Sequence, residues 1–280
     1  MVRNNEDRFG PRSSGGEEVP PSESPKNILQ FVTPTEFVEL PSGGAGYPVG
    51  HKLHSQETIE IKHMTAKHED ILTSRTLLKN GLALDRLISE LICDNDIKST
   101  ELLICDRNAI VISARSAAYG SDYNTKVKSP ACDAMCKRTF DLTEPTIYDG
   151  EDWGDYDIKK LDSGNFMVKL PWSEFNVEVK LLRGNDEKAV FKMLRNKKGD
   201  NHLVTKQMTM FIVAVEGHTQ PNVIKHFIEN IPSAQSRYLR AAYDKITPSI
   251  RIMRHFECDE CEHEQEMEVS LGADFFWPDR

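Results

Sequence analysis

The chain has 280 residues, enough for one large or two modest globular domains, with 35 Lys and Arg against 44 Asp and Glu and a net charge of −9. A hydrophobic fraction of 39%, a charged fraction of 28% and a mean hydropathy of −0.50 support a core but leave part of the chain outside it. The acidic balance repels phosphate and counts against a general nucleic-acid binder. No run approaches the roughly 20 apolar residues of a membrane span, and residues 1–16 lack the apolar segment of a signal peptide, so a soluble, unsecreted protein is expected.

Residues 1–27 begin with a Gly-, Pro-, Ser- and Glu-rich stretch that has almost nothing to bury and reads as a disordered tail. Phe37 to Leu40 reads as a short strand, followed by the turn-rich loop Pro41-Ser42-Gly43-Gly44-Ala45-Gly46-Tyr47-Pro48. That loop lacks the Lys-Ser/Thr ending of a phosphate-binding loop, so a structural turn is the better reading. His51 to Ile61 alternates as a strand, with Ile59 and Ile61 on one face. Thr65 is placed to cap a helix over 66–80 that ends at Gly81. A second helix is expected from Leu82 to about Cys93. A third starts near Ser99 or Asp106 and ends at Tyr119-Gly120, and its many alanines favour close helix packing.

Further on, 166–170 and 176–181 read as strands, and 186–197 as a charged amphipathic helix. The period of 208–215 fits strand and helix equally. Helices are expected over 221–230 and 233–245, and a strand over 250–256. The expected fold class is α+β. An N-terminal helical region with strands (28–122) is followed by a mixed α/β insertion (143–249), closed by a zinc-ribbon-like element in two halves, 123–142 and 250–280.

That last element rests on cysteine spacing. Cys93 and Cys105 fall in the helical region and read as small buried apolar residues. Cys132 and Cys136 form one close pair, Cys258 and Cys261 another, each entered and left by strand-like alternation. Strand, knuckle, strand, twice over, is the plan of a zinc ribbon, in which two short loops supply four thiolates to a tetrahedral Zn²⁺. The 121 residues from Lys137 to Glu257 would then be an insertion whose ends the metal pins. The first pair carries an extra residue and neither is followed by a glycine, so separate thiols or a disulfide within a pair remain alternatives. His255 and His263 flank the second pair as substitute donors, whereas His63 and His68 lack the spacing of a helical metal pair.

No Ser-His-Asp order or paired-carboxylate motif indicates an enzyme, and no small-molecule substrate or membrane partner is expected. A zinc-ribbon nucleic-acid binder or regulator is the alternative function. Lys126, Lys128, Lys137 and Arg138 give it a local basic face, against which stand the acidic residues around Cys258. Phe275, Phe276 and Trp277 either lock back onto the core or form an exposed anchor for another subunit.

Leu40 to Gly44 with Tyr47-Pro48, Ile61 to Lys67, Glu69 to Arg75, Leu103 to Ile110, Ala114 to Gly120, the two cysteine knuckles and Phe275 to Pro278 form a motif series. Over roughly residues 36–280 it resembles the baseplate hub and hub-assembly proteins of T-even-type contractile-tailed bacteriophages. The resemblance implies a non-enzymatic virion or assembly protein of the tail baseplate hub. It would contact other hub and tail proteins, in the virion baseplate or in the host cytoplasm during assembly. It also implies structural Zn²⁺ on Cys132, Cys136, Cys258 and Cys261. The longer first knuckle and the missing glycines depart from the usual pattern.

Overall fold

A computed structural model describes residues 33–187, 189, 203–269, 271 and 273–276. The tail expected over 1–27, most of the helix expected over 186–197, and Trp277 lie outside the described residues. From Pro34 onward the chain is one compact unit, with small antiparallel sheets arranged around helices.

Strands β1 (Thr35–Glu39) and β2 (Thr58–Lys62) pair antiparallel, with Val38 opposite Ile59. The strand expected from His51 begins only at Thr58, because residues 49–55 coil into turns. Those turns fold back on the glycine-rich loop, where the His54 ring meets the Tyr47 carbonyl at 2.8 Å. Gly44 sits at φ 74°, where a Cβ would come within 2.4 Å of the Leu53 carbonyl oxygen. Only glycine fits there, and the loop is structural.

Helices α1 (Ala66–Thr73) and α2 (Arg75–Asn80) replace the single helix expected over 66–80. The break falls at Ser74, whose extended backbone (ψ 106°) ends one helix while its hydroxyl accepts the Leu77 N–H of the next. A serine inside a helical pattern competes with the helix for its own backbone, and here it wins. Helix α3 (Ala83–Leu91) buries Leu87, Ile88 and Leu91 as its period predicts. Helix α4 (Ile104–Tyr119) is buried along most of its length.

Three charged residues of α4 are buried, and each holds a different part of the chain. Asp106 is fully buried and accepts hydrogen bonds from the Ser42 N–H (3.1 Å), the Ser42 hydroxyl (2.7 Å) and the Tyr47 hydroxyl (2.7 Å). Burial pushes its pKa up, and these donors oppose that shift. Arg107 donates to the Ser99 carbonyl (2.6 Å) and pairs with Asp85 at 3.2 Å. Arg115, 1% exposed, has no carboxylate among its described hydrogen-bond partners. Its guanidinium spans the carbonyls of Gly120 (2.7 Å), Asp122 (3.1 Å) and Phe275 (3.2 Å), beside the rings of Tyr119, Tyr123 and Phe275.

Strands β3 (Asp122–Lys128) and β4 (Met135–Asp141) form a hairpin. Next come β5 (Thr146–Tyr148) and a four-stranded antiparallel sheet ordered β6 (Ile158–Lys160), β7 (Phe166–Lys169), β8 (Asn176–Val179), β9 (Ile212–Val215). The ambiguous stretch 208–215 is both things: α5 (Leu203–Phe211) runs directly into β9, whose Ile-Val-Ala-Val favours the sheet. Helices α6 (Pro221–Asn230) and α7 (Ser233–Ile246) follow, close to expectation. The strand expected over 250–256 is split at buried Ile252 into β10 (Ser249–Arg251), paired with β5, and β11 (Met253–Glu257), paired with β12 (Glu264–Glu268). A 3₁₀ turn over Ala273–Phe276 ends the described chain.

The core is continuous from Val38 to Phe276. Phe275 and Phe276, 0% and 1% exposed, lie within it, with Phe275 against Tyr123 at 5.1 Å between ring centroids. These two aromatics are therefore locked onto the chain's own core, and no exposed anchor is built from them.

Arg115→Ala is expected to strand three carbonyls and cost about 3 kcal/mol or more, lowering the melting temperature by roughly 6 °C or more for a domain of this size. Arg115→Lys is expected to recover little, since an ammonium cannot span three acceptors held in a fork. Thermal melts of the two variants that matched the wild type would refute this role.

Candidate metal centre

Each cysteine pair sits at the tip of a hairpin. Cys132 lies in the β3–β4 turn and Cys136 is the second residue of β4; Cys258 and Cys261 lie in the β11–β12 turn. In each turn one residue takes the left-handed conformation: Asp133 at φ 62° and Glu262 at φ 55°. Glycine is the residue that reaches this region without strain. These two acidic residues occupy the turn positions where the sequence lacks it, so both knuckles form without glycine.

The hairpin tips meet. Cys258 Sγ lies 3.6 Å from the sulfurs of both Cys132 and Cys136, residues 126 and 122 positions away in sequence. The sulfurs of Cys132, Cys258 and Cys261 all lie within 4.8 Å of one another. All six cysteines are free thiols, and a disulfide would need sulfurs at about 2.05 Å. A tetrahedral zinc with bonds of about 2.3 Å separates its sulfurs by about 3.8 Å, close to the two contacts of Cys258; Cys136 lies outside the mutually close set and meets it through Cys258. The donor set is soft and all-thiol, which fits Zn²⁺ and matches a closed site better than an open catalytic one.

Backbone dipoles prepare the Cys258 sulfur for negative charge. The amides of Glu260 and Cys261 point at Cys258, and together with the Ser129 hydroxyl they hold its thiol down at about 6 against the cost of burial. The Asp259 N–H is directed at Cys136 in the same way. Burial and the neighbouring Cys258 outweigh it and raise that thiol. Cys136 and Cys258 are buried, whereas Cys132 and Cys261 lie at the surface.

A second clip runs beside the thiols. Arg138 of β4 forks onto Asp259, with contacts of 2.9 and 2.6 Å, and also donates to the Glu257 carbonyl. In the other direction, Arg254 of β11 donates to the Asp141 carbonyl at 2.6 Å and to that of Thr143. Arg138, read from sequence as part of a basic face, is thus committed to the opposite hairpin, and Lys128 pairs with Asp133 at 2.6 Å.

The histidines stay out of the thiol cluster. His255 faces Glu264 and Glu266, and His263 enters the knuckle through its carbonyl, which accepts the Cys258 N–H. His63 lies against Glu36, and His68 closes a capping box with Thr65. Of the helical-region cysteines, Cys105 is buried and Cys93 half-buried. Ser129 is fully buried with its Oγ 3.7 Å from Cys261 Sγ. Reading only the cysteines misses it, although its three-residue step to Cys132 repeats the step from Cys258 to Cys261.

Among the described residues, the one group of three or more His, Cys, Asp or Glu donors close enough to share an ion is all thiol. No helix of these residues is long and apolar enough to cross a membrane. Fold and site together define an α+β protein closed by a thiol-lined clip. A family model described as "T4 bacteriophage base plate protein" matches residues 34–277, nearly the whole described chain. The chain belongs to that family and is a bacteriophage tail baseplate protein. Neither the curated proteins nor the solved structures searched give a match.

If the clip joins the two hairpins, protection must be shared between them. Hydrogen exchange with and without a zinc chelator is expected to change together in 129–136 and 258–263, with little effect on 158–179. A change confined to one hairpin would show that the cluster does not couple them.

Proposed function

We propose that this protein is a non-enzymatic structural or assembly component of the contractile-tail baseplate hub. It works through contacts with other hub and tail proteins, in the virion baseplate or in the host cytoplasm during assembly. The observation that carries this reading is the family match across residues 34–277, joined to the motif series that resembles hub proteins. In this reading Cys132, Cys136, Cys258 and Cys261 hold one structural Zn²⁺. The ion fixes both ends of the segment between Cys136 and Cys258, so that its surfaces meet partners in one orientation. The alternative, a nucleic-acid-binding zinc ribbon, is the weaker one: Arg138 and Lys128 of its basic face are paired with Asp259 and Asp133, and the chain is acidic.

Co-expression with the other tail-hub proteins of the same phage is expected to give a stable co-purifying complex in which no nucleic acid is retained. A chain that stays monomeric with every hub and tail protein offered would refute the hub reading. Salt-sensitive retention of DNA or RNA would transfer support to the alternative. Elemental analysis of the purified chain is expected to give one zinc per molecule. Cys258→Ser is expected to lose that zinc, and with it a large part of the roughly 10–16 kcal/mol that structural zinc binding supplies.

A further inference from the structure

The two knuckles share a backbone register that differs from the register of their cysteines. In the second knuckle the Cys258 N–H binds the His263 carbonyl (2.9 Å), the Cys258 carbonyl accepts the Glu262 N–H (3.0 Å), and Glu262 is left-handed. In the first knuckle the same three features fall at Ser129. Its N–H binds the Ala134 carbonyl (2.8 Å), its carbonyl accepts the Asp133 N–H (3.0 Å), and Asp133 is left-handed. Position by position, Ser129 matches Cys258, Cys132 matches Cys261, and Asp133 matches Glu262. Cys136 then matches Gln265, a strand residue of β12 outside the knuckle. The first knuckle is therefore Ser129-Pro130-Ala131-Cys132, with a hydroxyl where its counterpart carries a thiol.

We propose an asymmetric centre, resting on the zinc reading above. Cys132, Cys258 and Cys261 are the knuckle ligands, Cys136 reaches in from β4 as the fourth, and Ser129 orients the thiolates as a hydrogen-bond donor from the knuckle position it occupies. A serine hydroxyl is neutral at pH 7 and a hard oxygen donor, so beside four available thiols it is a poor competitor for zinc. It is a good donor to sulfur: Ser129 Oγ lies 3.7 Å from Cys261 Sγ, and its hydroxyl is among the groups that lower the Cys258 thiol. Cys136 stands outside the three sulfurs that lie within 4.8 Å of one another and meets them at Cys258 Sγ, 3.6 Å away, with the Asp259 amide directed at its own sulfur, so a small inward shift of β4 completes the set. The extra residue between Cys132 and Cys136 is accounted for: the pair is not a knuckle pair.

The test is substitution at the two competing positions, read by zinc titration and by the sulfur-to-metal charge-transfer band of Co²⁺ loaded in its place. Wild type is expected to bind one ion with a four-thiolate spectrum. Cys136→Ser is expected to lose about one quarter of the band, one thiolate of four, and to bind more weakly than Ser129→Ala. Ser129→Ala should keep the full band and lose roughly 10–100-fold in affinity, as a lost second-shell partner does. The double variant Ser129→Cys/Cys136→Ser is expected to regain the full band and bind within tenfold of wild type, because it restores two matched knuckles. An undiminished band in Cys136→Ser, or no regain in a double variant whose circular dichroism matches wild type, overturns the proposal. Where the double variant does not fold, Ser129→Cys alone decides. In the zinc-loaded protein the introduced thiol should be protected from alkylation while half-exposed Cys93 reacts, and alkylation of the introduced thiol overturns the proposal. Absence of any metal in wild type refutes the zinc reading itself, a different outcome from wild-type binding without regain.

Discussion

The structure depends on bringing together two hairpin tips that lie more than 120 positions apart in the chain. Closing a loop of that length costs several kcal/mol of chain entropy, and the cost grows only slowly with length. A cross-link across such a loop recovers about 4–5 kcal/mol by restricting the unfolded chain. Three devices act at this one junction: the thiol cluster, the reciprocal arginines Arg138 and Arg254, and the pairing of β5 with β10, where Ile147 faces Ile250. The last two work without a metal. They hold the two hairpin tips, and the sulfurs they carry, against each other.

Helix α4 plays the corresponding part in the other half of the molecule. Its buried Asp106, Arg107 and Arg115 are oriented toward the glycine-rich loop, the Ser99 region, and the β3 and C-terminal segments. Burying charge is costly unless every lone pair or proton is satisfied. Asp106 and Arg115 meet that condition with backbone groups and neutral hydroxyls, and Arg107 with the Ser99 carbonyl and the Asp85 carboxylate. The polar satisfaction is therefore also what fixes irregular chain onto the helix. Arg115 connects the halves: it holds β3, which leads to the first knuckle, and the carbonyl of Phe275, which follows the second.

For a baseplate protein this construction has a plain consequence. A part that must sit in a fixed orientation among neighbours benefits from an interior with few independent pieces, and the continuous core from Val38 to Phe276 supplies one. Arg138, Asp259 and Arg254 beside the knuckles serve this internal closure. Arg138 and Asp259 satisfy each other across the two hairpins and are unavailable to phosphate in that state.

The sequence alone determined the local elements and the family. Periodicity placed α3, α6, α7 and most strands, the capping residues placed the helix ends, and the repeated strand-knuckle-strand order announced two hairpins with thiols at their tips. It erred where local signals compete, as at Ser74, which splits a helix, and at 208–215, where helix and strand share one apolar run. Tertiary structure decided what no window of sequence contains. It set Phe275 and Phe276 into the core, aimed Arg138 across the junction, and gave Ser129 the backbone position that Cys258 holds in the other hairpin. The division has one physical cause. Element type follows from interactions within a few residues, while the environment of a buried polar or thiol group is set by segments that meet only after long loops have closed.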